Sequence, residues 1–138
     1  RYFGYQKALM MANLPLFPVV SFEETQDYPE FLEVLKDTQA TALVVIDDLF
    51  AVRIIQLVHL LGYKVPDDLS VISFNNSIFT TLTHPYLTSI DIDVASLGSI
   101  ATQQLMSQLA NQEMQSRLRV VVPHELDQRT TVLNKNYK

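Results

Sequence analysis

From Ala42 to Asn76 the chain reads ALVVIDDLFAVRIIQLVHLLGYKVPDDLSVISFNN, and this stretch restricts the fold more than any other. Ala42 to Ile46 is an unbroken apolar run rather than an alternating one, the pattern of a strand buried on both faces of a parallel sheet. The fold class is therefore α/β, a parallel sheet flanked by helices. Asp47 and Asp48 fall where the strand stops and a helix begins. Asp48 is expected to cap the helix, leaving Asp47 beside the strand's carboxyl end, the rim at which open parallel sheets bind ligands. The spacing predicts a helix over Leu49 to Leu61 with Ala51, Ile54, Ile55, Val58 and Leu61 on one stripe, and Gly62 stands where a helix stops. Val52, Leu57 and Leu60 lie off that stripe, so this helix is expected to meet a second partner as well as its own sheet.

The remaining composition narrows function. A chain of 138 residues with 48% hydrophobic and 18% charged content buries a real core and is not disordered. It has no run of about 18 apolar residues, no signal-like amino terminus and no cysteine, so neither a membrane partner nor a disulfide framework is expected, and cytoplasm is the default compartment. A net charge of −5 without a Lys/Arg cluster argues that this segment does not grip nucleic-acid phosphates. His59, His84 and His124 share no ligand-like spacing, so no metal is assigned. Three glycines build no phosphate cradle, and no hydrolase or zinc-protease motif is present, so no cofactor and no catalytic residue is assigned either. An α/β enzyme using Asp47 and Asp48 as acid and base is the competing reading from another class.

In chain order, Gln6 to Met10 continues a helical pattern that Pro15 and Pro18 break, and Phe17 to Phe22 reads as a short strand. Phe22 then stands at another carboxyl edge, either stacking on a ligand or packed in the core. Glu23, Glu24 and Asp27 read as a solvated acidic loop, with no His or Cys to complete a metal site. Tyr28 to Asp37 is predicted helical, burying Phe31, Val34 and Leu35. Asn75 and Asn76 close the second strand at the same rim as Asp47, where an Asx turn is the plainer alternative for Asn75. Ser77 to His84 exposes Ile78 and Phe79. Leu87 to Asp93 alternates like a strand, Asp93 is placed to cap the next helix, and that helix should turn Val94, Leu97, Ile100, Ala101, Leu105 and Leu109 inward. Arg119 to Glu125 returns, and Leu126 to Val132 should add an edge strand.

Several spaced segments together carry a family resemblance. Arg1-Tyr2-Phe3-Gly4-Tyr5 leading to Ala8-Leu9, the Asp47-Asp48 turn, Gly62 to Asn76, and Pro85-Tyr86-Leu87-Thr88-Ser89-Ile90 followed by Leu97-Gly98 resemble the effector-binding region of the lac repressor family of bacterial transcription regulators. The form here is most similar to regulators of maltose and related sugars. The resemblance covers Arg1 to about Thr131 and implies the carboxyl-side subdomain of a periplasmic-binding-protein-like (type I) fold. It implies residues 1–91 as the second effector-binding subdomain, 92–119 as a hinge crossover and a helix that packs on a first subdomain outside this chain, and 120–138 as the return and tail. That helix is then expected to be covered by another part of the protein or another copy. A sugar effector would be held by Arg1, Asp47 and Asn75, with Phe22 as a stacking wall; Ile92 would sit at the hinge without a contact. Val52, Ile55, Ile78, Phe79 and Leu82 would form a homodimer interface, and operator DNA would be bound by a domain upstream. Where the family commonly has Asp-Asp or Asp-Asn, this chain has Asn75-Asn76, exchanging a charged acceptor for an amide that both donates and accepts. A periplasmic-type sugar-binding protein is the alternative of the same architecture.

Overall fold

Apolar spacing and capping residues account for most of the observed elements. The structure, a computed structural model, describes residues 1–17, 19–21, 28–110 and 119–134, and the chain divides into two compact units, Arg1–Thr41 and Ala42–Lys138. In the first unit, helix α1 (Tyr2–Met11) has no buried residue. It ends on Asn13 at φ 52, with Leu14 N–H donating to the Leu9 carbonyl at 2.9 Å, the left-handed stop that asparagine tolerates better than most residues. Helix α2 (Tyr28–Thr38) buries Phe31 and Leu35, four residues apart on one face. The strand expected over Phe17 to Phe22 is not found: residues 17 and 19–21 carry no strand, and Pro18 has no N–H to offer a ladder. Phe22 and the acidic residues Glu23, Glu24 and Asp27 lie outside the described residues.

The second unit holds the sheet. Strand β1 (Ala42–Val44) leads to helix α3 (Asp48–Leu60), strand β2 (Ser70–Phe74), a 3-10 turn at Ile78–Thr81, strand β3 (Thr88–Asp91), helix α4 (Val94–Ala110) and strand β4 (Glu125–Asp127). The strands lie in the order β1-β2-β3-β4. The first three are parallel and β4 runs antiparallel to β3; the edge strand expected over Leu126 to Val132 is found at Glu125–Asp127, and residues 128–132 carry no strand. The α3 stripe forms the core, with Ala51, Ile54, Ile55 and Val58 buried alongside Leu69, Val71 and Leu87. Each of the valine, leucine and isoleucine side chains contributes about 1.5–3 kcal/mol by leaving water. Gly62 at φ 86 ends α3 as expected: its own N–H reaches the His59 carbonyl at 3.0 Å, and Tyr63 N–H reaches that of Val58 at 2.9 Å, satisfying carbonyls the helix leaves over. Past β4, the Thr131 hydroxyl donates to the Val71 carbonyl (2.7 Å) and accepts from Thr88 N–H (2.8 Å), pinning the tail across the amino ends of β2 and β3.

Helix α4 differs from expectation. No residue on it is buried, and Val94, Leu97, Leu105 and Leu109, expected to face inward, are exposed. Its half-buried positions are Ser96, Ile100 and Gln104, a mostly polar stripe at four-residue spacing. The apolar stripe has no covering element among the described residues.

Candidate functional site

Asp47 and Asn75 end up at the same rim because β1 and β2 are adjacent and parallel. Val44 pairs with Ile72, and each candidate lies three residues beyond its member of that pair. The two aspartates exchange the roles expected of them. Asp47, with φ −152 and ψ 167, is the helix cap: its Oδ1 accepts from Phe50 N–H at 2.8 Å. A cap sits just before the first helical residue, usually on extended backbone, and α3 begins at Asp48, so the position falls to Asp47. Its Oδ2 is left for other use among the described residues. Asp48 is instead 1% exposed and points into the sheet. Its Oδ1 accepts from the hydroxyls of Ser73 (2.6 Å) and Ser89 (2.7 Å), and its Oδ2 accepts from Ser77 N–H (2.6 Å). Ser73 and Ser89 face each other across β2 and β3. Hydrogen bonds from three segments satisfy a carboxylate that would otherwise be very costly to bury.

Beyond β2, Asn75 has φ 100 and Asn76 φ 47, two consecutive left-handed residues. Asn75 N–H donates to the Ile90 carbonyl at 2.9 Å, and Asn76 N–H to the Ser89 hydroxyl at 3.1 Å. The Asn76 side chain accepts from Arg129 Nη2 (2.8 Å) and donates to Asp91 Oδ2 (3.0 Å). Arg129 also donates to Asp127 (2.6 Å) and the Leu87 carbonyl (2.8 Å). The Asn76 amide and then the Asp93 N–H (2.8 Å) hold the Asp91 carboxyl below its ordinary value, and Ser96, through side chain and backbone, does the same for Asp93. Asp93 caps α4 as expected, its Oδ1 accepting from Ser96 N–H at 3.0 Å. None of Asn76, Asp91, Asp127 or Arg129 was singled out from the sequence as a site residue. Ser73, set among Val71, Ile72 and Phe74, was the available signal for a buried polar partner.

A family model described as a periplasmic binding protein-like domain matches residues 1–132. The chain belongs to that family. Among its relatives, Catabolite control protein A of Streptococcus mutans is 28% identical over 131 residues, covering 93% of this chain and 39% of that protein. The transcription regulator CcpA of Lactococcus lactis superposes with a TM-score of 0.75 at 32% identity, over 94% of this chain and 49% of that one. The LacI family transcriptional regulator CCPA of Weissella paramesenteroides, solved with bound glucose, gives 0.73 at 25% identity, over 99% and 50%. The chain thus spans about two fifths to one half of these relatives' length. The family match and these relatives uphold the resemblance to the lac repressor family, and the relatives named are regulators rather than enzymes.

Within this family member, Arg1 belongs to the first unit and Asp47 and Asn75 to the second. Of the interface candidates, Ile55 is corrected: at 2% exposure it belongs to the chain's own core, one residue along from Ile54 on the side of α3 that meets the sheet. Ile78, Phe79 and Leu82 are exposed and Val52 is half-buried. Ile92, expected at the hinge, is half-buried just after β3. A shallow hollow of about 480 Å³ lined by His59, Gly62, Tyr63, Lys64, Val65, Asp67 and Pro85 lies ahead of β2 and β3, at the opposite end of the sheet from the rim. No helix among the described residues is long and apolar enough to cross a membrane, and no group of three acidic, His or Cys side chains among them is set to hold a metal.

Proposed function

We propose that this chain is the ligand-sensing part of a sugar-responsive transcription repressor, binding a small carbohydrate of the glucose or maltose class between two lobes. The observation that carries the reading is the shared rim, with Asp47 and Asn75 beyond the carboxyl ends of adjacent parallel strands. It is joined by a relative of 25% identity described with bound glucose. A carboxylate and a primary amide suit a polyol, which offers many hydroxyls and little apolar area. Arg1 supplies a fixed fork of donors and Phe22 a stacking wall; both assignments rest on the sequence resemblance. The exposed apolar stripe of α4 is the surface for the other lobe, and Val52, Ile78, Phe79 and Leu82 form the contact of a homodimer. Operator DNA is gripped by a domain outside this chain, in keeping with the net charge of −5 here. Because effector binds the open and closed arrangements unequally, its binding shifts operator affinity by linkage.

The test is calorimetry on the intact protein with glucose, maltose, maltodextrins, glucose phosphates and fructose. One of the glucose-based ligands binds, and Asp47→Ser, which keeps a capping oxygen but removes the charge, weakens that binding by roughly tenfold to a hundredfold. Wild-type affinity in Asp47→Ser removes Asp47 from the site, and the absence of binding by any of these sugars overturns the effector class.

A further inference from the structure

We propose that Arg129 is a positioning residue for the rim: by gripping Asn76 it keeps the Asn75–Asn76 turn left-handed and ties that turn to the point where the chain leaves β3 for α4. Two successive residues with side chains at φ 100 and φ 47 occupy a backbone region that is sparsely populated unless the surroundings impose it. Here the surroundings are specific. Both backbone N–H groups of the turn are held by β3, through the Ile90 carbonyl and the Ser89 hydroxyl. Both ends of the Asn76 amide are engaged as well, its oxygen by Arg129 Nη2 at 2.8 Å and its nitrogen by Asp91 at 3.0 Å.

Arg129 is itself fixed. Its side chain is 18% exposed, Nη1 donates to the Leu87 carbonyl at 2.8 Å, and Nη2 also meets Asp127 at 2.6 Å. A planar guanidinium with three acceptors drawn from three segments has little freedom, so Asn76 is held by a rigid fork rather than a swinging charge. The far side of the same chain of bonds is Asp91, whose Oδ1 takes the N–H of Asp93, a residue at φ 41 that caps α4. One continuous path therefore runs from the rim residue Asn75 through Asn76 and Asp91 to the start of α4, with Arg129 as its fixed end. The functional consequence rests on Asn75 touching the effector as proposed above; the shape of the turn does not.

The experiment uses the intact protein with Arg129→Met, Arg129→Lys and Asn75→Ala, reading amide hydrogen exchange residue by residue and titrating glucose by calorimetry. Arg129→Met speeds exchange at Asn75 and Asn76 by roughly tenfold or more while the α3 amides keep wild-type rates, and Arg129→Lys falls between. Glucose affinity drops with Arg129→Met, and the drop largely vanishes when Asn75 is already alanine, because the arginine acts through that residue. Unchanged exchange at Asn75 and Asn76 in Arg129→Met overturns the proposal, as does an equal affinity loss in the Asn75→Ala background. Loss of protection throughout the sheet in both arginine variants also overturns it, making Arg129 a general staple. Wild-type glucose affinity in Asn75→Ala sinks the effector reading instead, and the exchange rates, which need no ligand, still decide the role of Arg129.

Discussion

Replacing Asp48 by alanine should damage the fold far more than replacing its neighbour Asp47, although both are aspartates at one helix start. Asp48 accepts three hydrogen bonds at 2.6–2.7 Å inside the protein. Removing it leaves the Ser73 and Ser89 hydroxyls, both 0% exposed, and the Ser77 N–H without their acceptor. Each orphaned group costs about 1–3 kcal/mol. Relief comes from losing a buried charge, and Ser73 retains a long 3.4 Å contact to the Thr88 carbonyl. The expected net loss is about 3–5 kcal/mol, the range for breaking one side of a buried polar network, against a typical stability of about 5–15 kcal/mol. Asp47→Ala removes one cap bond and should cost about 1 kcal/mol. Urea unfolding of the intact protein, comparing midpoints at constant m-value, reads the difference. Adding Ser73→Ala to Asp48→Ala should recover part of the loss, since that orphan goes with it, whereas Ser89 also accepts from Asn76 N–H and must stay. Equal destabilisation by Asp47→Ala and Asp48→Ala would refute the assignment of Asp48 as the polar anchor.

Gly62→Ala meets open space around the new Cβ, so its cost is conformational alone, about 1–2 kcal/mol for a left-handed residue with a side chain, read as a lowered unfolding midpoint. The Asp91 carboxyl titrates below its ordinary value, so its contribution is fully present above the unfolded-state value of about 3.9 and fades as pH falls through the lower folded value; carbon-detected NMR titration should find Asp91 and Asp93 both below the ordinary range, and a normal or raised value would contradict the hydrogen bonds drawn to them. Ile78→Arg with Leu82→Arg, at positions 67% and 69% exposed, should abolish the proposed dimer in sedimentation velocity while leaving thermal stability within about 0.5 kcal/mol; a dimer in the double variant would rule out this interface.

The sheet was legible because its signals are local. An unbroken apolar run, a 3.6-residue stripe and a glycine at its end each act over a few residues, and β1, α3 and β2 follow from them. Yet β1 ends the strand order, and its run is exposed at Val44 and Ile46 instead of being buried on both faces. The division of labour between Asp47 and Asp48 was not legible, because capping depends on the residue at which the helix starts, and a shift of one position exchanges the two side chains. Ile55 stands both on the inward stripe and among the interface candidates, and its burial beside Ile54 agrees with the stripe. The α4 stripe is readable as apolar, yet what covers it is a tertiary fact that no helical period contains. Arg129 was invisible for another reason. It lies 53 residues from Asn76, and only the antiparallel register of β4 on β3 brings that stretch back beside the rim.

The hydroxyl of Ser89 donates a hydrogen bond to Asp48 and accepts one from the backbone N–H of Asn76. That oxygen belongs both to the deep polar knot and to the turn after β2, so the two cannot drift apart without breaking it. Asn75 hangs just outside that link. On the proposed function, a change of side chain there alters what the mouth recognises while the knot beneath stays whole, a way to trade one sugar for another without refolding the base.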